Sequence, residues 1–146
     1  MKIAVEPELE ALRESISAQA LTTVRPLADQ VDRMQEFSWD LWAAVRDLGL
    51  SRLPFAGQYG GDDGSIRAYA VASAELAQHC AVAALYPGTS IQVAAALIEH
   101  GTAEHIASVV PALVAGDTIA AWAFTEPATG SDPRQISTRA VQDRDG

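Results

Sequence analysis

The sequence is short of basic residues. Only 10 of its 146 residues are Lys or Arg, against 19 Asp and Glu, which gives a net charge of −9. A chain with so few positive charges lacks the basic face that neutralises phosphates, so we expect no nucleic-acid partner. The same charge opposes an anionic ligand unless arginines are placed near it.

Cysteine is almost absent too. The single Cys80 cannot form a disulfide within the chain, which favours a reducing compartment and predicts a cytoplasmic protein. His79 precedes Cys80, but adjacent helical positions point in different directions, so we interpret the thiol as buried and inert. The three histidines lack the spacing of a metal site with other ligands, and we predict no metal.

Long hydrophobic runs are the third absence. The N-terminal residues MKIAVEPELE carry no apolar signal core, and we judge the apolar stretches elsewhere to be far shorter than a membrane span. We therefore expect no membrane association. Alanine, by contrast, is abundant, and 49% of the residues are hydrophobic, which favours packed helices around a sizeable core.

Hydrophobic residues recurring every three and four positions predict an up-and-down helical bundle over residues 1–117. The predicted helices cover about 7–24, 26–34, 39–48, 65–80, 87–100 and 102–115. Pro26 is expected to separate the first two helices, and a glycine-rich loop is expected over residues 51–64. The residues on one face of the helix at 65–80 are small, so we expect a neighbouring helix to approach it closely.

Three residues are predicted N-caps, namely Ser38, Ser65 and Thr102, with Gly49 as a C-cap. We expect Trp39 and Trp42 to pack into the core rather than to stack on a ligand. The buried face of the fourth helix is predicted to consist of Ile66, Tyr69, Ala70, Ser73, Leu76, Ala77 and Cys80.

The pattern changes after Asp117. Thr118–Phe124 is a hydrophobic run with strand character, and Ile136–Val141 alternates as a strand does. Between them lies a polar loop of small residues and hydroxyls, which can approach a phosphate or the polar edge of a heterocycle. An ordinary turn is the open alternative. Two strands cannot form an independent sheet, so we predict a helical domain at 1–117 and the start of a truncated β-domain at 118–146.

The loop sequence TEPATGSD, at 125–132, is similar to the signature of the acyl-CoA dehydrogenase family. Two upstream blocks, at 53–80 and 99–127, resemble the family's glycine turn with its following helix, and its next helix with its first strand. The resemblance implies a mainly α fold: the family's N-terminal helical domain, followed by the first strands of an incomplete β-barrel domain. Whether the chain is a fragment, a truncated product or half of a split enzyme stays open.

The resemblance also implies a chemistry. Members of the family use FAD to dehydrogenate an acyl thioester, whose β-hydride passes to flavin N5 while a carboxylate removes the α-proton. No residue here matches that catalytic glutamate, so we assign no catalytic residue to this chain and expect it to be inactive and nearly flavin-free by itself. Glu126 lies in the signature, and we interpret it as a structural group of the turn.

Site positions follow from the same resemblance. The implied cofactor-binding residues are Trp122, Phe124, Thr125, Gly130 and Ser131. The implied substrate-binding residues are Tyr86, Thr89 and Ser131, facing an acyl thioester bound to CoA or to a carrier protein.

Two other interpretations remain open. The chain could be a non-catalytic helical subunit for assembly or binding that completes a flavin site with another chain, or it could belong to a related flavin monooxygenase. The intact TEPATGSD loop favours a dehydrogenase over a hydroxylase. We expect a homo- or hetero-oligomer formed through partner segments.

Overall fold

Helices dominate the computed structural model, which describes residues 6–34 and 36–142. Within these residues the helices are α1 (Pro7–Thr23), α2 (Arg25–Arg33), α3 (Trp39–Asp47), α4 (Ile66–His79), α5 (Ala81–His100) and α6 (Ala103–Ala115). Short 3-10 turns cover Gly57–Tyr59 and Pro133–Gln135. Helix α1 packs along α4, and α5 contacts α3, α4 and α6. The mainly helical fold predicted from the sequence is confirmed.

Local signals fix the helix ends. The side chains of Ser38, Ser65 and Thr102 each accept a hydrogen bond from the backbone N–H three residues later, at 3.2, 3.1 and 3.2 Å. Gly49 and Gly116 follow α3 and α6 with left-handed φ angles of 73° and 77°, which glycine adopts without steric cost. The predicted caps are therefore confirmed.

The buried side chains form two clusters. The first cluster draws residues from each of the five helices α1, α2, α3, α4 and α5, and it includes Ile16, Ala20, Leu41, Val45 and Leu76. The second lies between α5 and α6, where the loop residue Phe55 joins Ile91, Ala94, Val110, Leu113 and Val114. Ala120 packs against this second cluster. The segment after α6 is therefore attached to the helical core at its beginning.

The start of α5 was predicted wrongly. The helix begins at Ala81, although Pro87 suggested a start at 87 or 89, and the proline lies buried inside it. Cys80 has extended backbone, with φ −159°, and separates α4 from α5. Proline removes one helical hydrogen bond, but burial of an alanine-rich face against α3 and α4 outweighs that loss. In the same turn, Ser73 Oγ donates to the carbonyl of Ala84 at 3.3 Å.

Two predictions of burial were wrong in part. Trp39 is 69% exposed, whereas Trp42 is buried as expected. On α4 the buried residues are Ala68, Ala72 and Leu76, a line of four-residue steps, while Ile66, Ala70 and Ala77 are exposed. Several faces of an alanine-rich helix have similar periodicity, so the packing of α1 decides which one is buried.

Helix α5 contradicts the prediction that the apolar stretches are far shorter than a membrane span. It has 20 residues with a mean hydropathy of 1.5 over its most apolar window, so by length and composition it could cross a membrane. Core helices share these properties, and α5 contacts three neighbouring helices here.

No β-ladder forms in the described residues after α6. Over Thr118–Phe124 and Ile136–Val141 the structure assigns no strand, and an isolated bridge joins Glu126 to Thr129. A strand needs a paired neighbour, so the strand character of these segments stays a prediction. The boundary after residue 117 also stays a prediction, and residues 143–146 of the predicted β-domain lie outside the described residues.

A charged network joins α1 to α4. Arg13 Nη1 lies 3.1 Å from Glu75 Oε2, and Arg13 Nε donates to Glu10 at 3.1 Å. Ser17 Oγ lies 3.2 Å from His79 Nε2 on α4. Hydrogen bonding by the Ser17 hydroxyl and then by Arg13 lowers the pKa of Glu75 below its ordinary value of 4.5.

Arg13→Ala is expected to lower the free energy of unfolding only modestly at pH 7, because Arg13 is 41% exposed and solvent screens its ion pairs. Because the pKa of Glu75 is lowered on folding, its contribution is present above the unfolded pKa and is lost as the pH falls through the folded pKa. The difference between wild type and variant should therefore shrink at pH 3. Urea unfolding at both pH values measures it, with Arg33→Ala, in an exposed pair, as control. An undiminished difference at pH 3 would contradict the linkage.

Candidate functional site

The loop at 125–132 lies outside any helix and is closed by a tight turn. The backbone N–H of Glu126 donates to the Thr129 carbonyl at 3.0 Å, and that of Thr129 returns a bond to the Glu126 carbonyl at 3.1 Å. Pro127 occupies the position where its fixed φ favours such a turn. Thr129 is buried, and its hydroxyl donates to the Asp132 carbonyl. The chain therefore fixes the loop's shape by its own hydrogen bonds.

An ion pair closes the far end of the loop. Asp132 accepts from Nε and Nη2 of Arg134, both at 2.8 Å, and from the Arg134 backbone N–H at 3.1 Å. The guanidinium holds the pKa of Asp132 below its usual value. Arg134 is thus paired with its own loop, directly after Pro133 at the start of a 3-10 turn.

The Glu126 side chain makes four hydrogen bonds. Its carboxylate accepts from the backbone N–H and hydroxyl of Ser137, at 2.8 and 2.7 Å, and from the backbone N–H of Thr138 at 2.8 Å and the Thr138 hydroxyl. These donors, the Thr138 hydroxyl foremost, lower the pKa of Glu126 to about 2. A carboxylate so engaged is a poor proton acceptor, in line with its interpretation as a structural group.

The predicted cofactor-binding residues are accessible. Trp122 and Phe124 are 52% and 38% exposed, and Thr125, Gly130 and Ser131 are exposed as well. In the part of the chain that the structure describes, neither the backbone N–H groups of Gly130 and Ser131 nor the hydroxyls of Thr125 and Ser131 make a hydrogen bond. These groups are available to an external acceptor.

Gly130 lies at an open position of the loop. A Cβ atom built on it would meet nothing within 4 Å, and its φ lies outside the left-handed region. The described residues themselves therefore do not require glycine there. A glycine at an open loop position lets another molecule approach the backbone closely.

Ser90 anchors the segment that carries these residues. Its hydroxyl accepts a hydrogen bond from the Ala120 backbone N–H at 3.2 Å, and the side chain is only 1% exposed within α5. Sequence reasoning missed Ser90, since a serine in an alanine-rich helix carries no local sign of a partner 30 residues away. The anchor places the segment beside the helix of Thr89.

The predicted substrate-binding residues have a different setting. Tyr86 is half-buried and stacks on Phe37, with ring centroids 5.1 Å apart, and lies 5.9 Å from Trp42. Burial raises the pKa of the Tyr86 hydroxyl. Thr89 is half-buried on α5. Three cavities of about 400, 360 and 230 Å³ are lined by other residues. These cavities do not join Tyr86 and Thr89 to the loop, so their substrate role stays a prediction.

The exposed groups fit a flavin. Two aromatic side chains can cover a ring face, hydroxyls can bond its polar edge, and successive backbone N–H groups suit a phosphate. Together with the bundle, the loop defines a helical domain leading into a segment with exposed aromatic side chains and unengaged hydrogen-bond donors.

Comparison with known proteins identifies this class more closely. The profile of the family described as "Acyl-CoA dehydrogenase, N-terminal domain" matches residues 6–117. The chain therefore belongs to the acyl-CoA dehydrogenase family, and the resemblance inferred from the sequence is confirmed.

Several curated relatives are similar over nearly the whole chain. A short-chain-specific acyl-CoA dehydrogenase of Clostridium acetobutylicum is 30% identical over 139 residues, which cover 94% of this chain and 37% of that protein. A cyclohexane-1-carbonyl-CoA dehydrogenase of Geobacter metallireducens is 32% identical over 139 residues, 93% of this chain and 36% of that protein. An acryloyl-CoA reductase (NADH) of Anaerotignum propionicum is 26% identical over 143 residues. The chain thus spans just over a third of these relatives' length.

A solved structure has the same fold. A chain in the crystal structure of the ChsE4-ChsE5 complex from Mycobacterium tuberculosis superposes with a TM-score of 0.74 at 26% identity. The match covers 99% of this chain and 37% of that chain. The bundle and the segment after it therefore share the fold of the corresponding part of that chain.

Proposed function

We propose that this chain supplies one wall of an FAD site in an oxidoreductase that dehydrogenates an acyl thioester. The observation that carries the proposal is the group of exposed aromatic side chains and unengaged donors between Trp122 and Ser131. Membership of the acyl-CoA dehydrogenase family supports it.

Each residue has a definite part in this proposal. Trp122 and Phe124 would lie against the flavin ring, and the Thr125 hydroxyl would bond its polar edge. The N–H groups of Gly130 and Ser131 would meet the pyrophosphate, with Ser131 also contacting the thioester. FAD, when bound, supplies the acceptor for the hydride leaving the acyl chain.

The proton of that reaction needs a base, and we assign none among the described residues. Two carboxylates adjoin the exposed groups in sequence. The oxygens of Glu126 are occupied by Ser137 and Thr138, and those of Asp132 by Arg134. We therefore propose that the base and the other walls of the site belong to polypeptide beyond these 146 residues.

Binding of FAD to one wall can be tested by NMR on the full 146-residue chain. Its three tryptophans give three indole N–H signals, and only that of Trp122 lies on the proposed wall. Adding FAD should shift the Trp122 indole and the amides of Gly130 and Ser131. We expect a dissociation constant of about 1 mM, because a partial site gains little binding free energy.

NAD⁺ is the matched control ligand, since it shares the adenosine diphosphate part and lacks the isoalloxazine. It should leave the Trp122 indole unmoved. Shifts confined to the exposed Trp39, or none at several times the expected dissociation constant, would refute the proposal.

A second candidate function is that of a non-catalytic subunit that completes a flavin site with another chain. The exposed apolar side chains of Ile119, Ile136 and Val141 favour an interacting partner, and the similar solved structure is a complex of two proteins. Dehydrogenase activity that arises only when a separately encoded chain is added would favour this second function.

A further inference from the structure

We propose that Glu126 is a positioning residue of this site: by holding residues 137–138, its carboxylate fixes how the loop presents its donors. The inference rests on the proposed FAD site. It assigns Glu126 no contact with ligand and no proton transfer.

The geometry of the Glu126 contacts is that of a clamp. One carboxylate oxygen receives both the N–H and the hydroxyl of Ser137, and the other receives both donors of Thr138. Hydrogen bonds to an ionised acceptor are stronger than neutral ones. Glu126 is thereby held to Ser137 and Thr138, which follow it in the sequence by eleven and twelve positions.

The clamp governs the exposed donors because of where they lie. Gly130 and Ser131 fall inside the stretch that it closes. Among the described residues, the other side-chain hydrogen bonds there join Thr129 to Asp132 and Asp132 to Arg134, both within that stretch. Those contacts shape the loop but do not tie it to the chain on either side. Closing such a loop beforehand lowers the entropy cost of binding.

The Glu126 clamp also restrains the segment that carries Trp122 and Phe124. They precede Glu126 by four and two residues, and Ser90 holds the start of their segment through Ala120. The segment is thus fixed at Ser90 on one side and at Glu126 on the other. Since Glu126 remains ionised throughout the neutral range, with a pKa of about 2, the clamp stays closed at physiological pH.

Glu126→Gln in the ¹⁵N-labelled full chain tests the proposal. The amide keeps the side-chain length but removes the charge and one acceptor oxygen. The Ser137 and Thr138 amide signals should move upfield, and the FAD dissociation constant should rise about fivefold as preorganisation is lost. The melting temperature should stay unchanged, because the Glu126 carboxylate bonds no helix. Glu14→Gln, on an exposed face of α1, is the matched control.

Variants of Thr138 distinguish loss of the hydrogen bond to Glu126 from a general structural effect on FAD binding. Thr138→Val keeps the shape and removes the hydroxyl, so it should weaken FAD binding. Thr138→Ser keeps the hydroxyl and should restore wild-type affinity.

The outcomes separate the clamp from the site itself. Unmoved Ser137 and Thr138 amides in Glu126→Gln would show that there is no clamp, and unchanged FAD affinity despite moved amides would overturn the positioning role. A lowered melting temperature would assign Glu126 to the fold instead. If wild-type chain fails to respond to FAD, the proposed function falls and the positioning role with it, a result recognisable without any variant.

Discussion

Gly61→Ala is expected to lower the free energy of unfolding by about 3 kcal/mol or more, the range of severe steric substitutions. A Cβ atom on Gly61 would lie 2.0 Å from the Phe55 carbonyl oxygen and 2.4 Å from its carbon. These are backbone atoms, which cannot rotate aside. The same carbonyl accepts the Asp63 N–H at 2.9 Å, so the loop must open to relieve the overlap.

The damage from Gly61→Ala should reach the helical core. Phe55 is buried in the cluster between α5 and α6, against which Ala120 also packs. Urea unfolding followed by circular dichroism measures the loss. Gly130→Ala is the matched control, because its Cβ would meet nothing within 4 Å, and it should change stability by about 0.5 kcal/mol at most. Equal stabilities of the two variants would show that the loop does not approach Gly61 so closely.

Trp122→Ala is expected to weaken FAD binding by about 10- to 100-fold, because stacking of a heterocycle on an aromatic side chain contributes roughly 1–3 kcal/mol. With the indole gone, the amide signals of Gly130 and Ser131 report binding. The substitution should scarcely affect stability, since Trp122 is 52% exposed.

Trp39→Ala is the matched control for Trp122→Ala. Trp39 is also exposed, at 69%, but lies on α3 with its ring 4.9 Å from that of Phe37. Removing it should leave the FAD titration unchanged. If both variants weaken the response equally, the shifts in wild type report non-specific association and the assignment of Trp122 is wrong.

The helices were predictable because their signals are local. Ser65 and Thr102 cap helices through backbone groups only three residues away, and Gly49 adopts its left-handed φ in any context that ends a helix there. The family was also readable from sequence, since the TEPATGSD loop is a contiguous motif. Prediction failed where burial decides: the sequence offers Ile66 and Trp39 as core residues, and the packing of α1 and α3 leaves both exposed.

By itself the sequence determined the helical architecture, the caps and the position of the loop at 125–132. Only the tertiary structure decided that Ser90 holds Ala120 from 30 residues away, that Pro87 is buried inside α5, and that Glu126 binds Ser137 and Thr138. The physical reason is that a cap recognises backbone within one turn of the chain. A hydroxyl or a carboxylate whose partner lies on a distant segment gains that partner only when folding brings the two segments together.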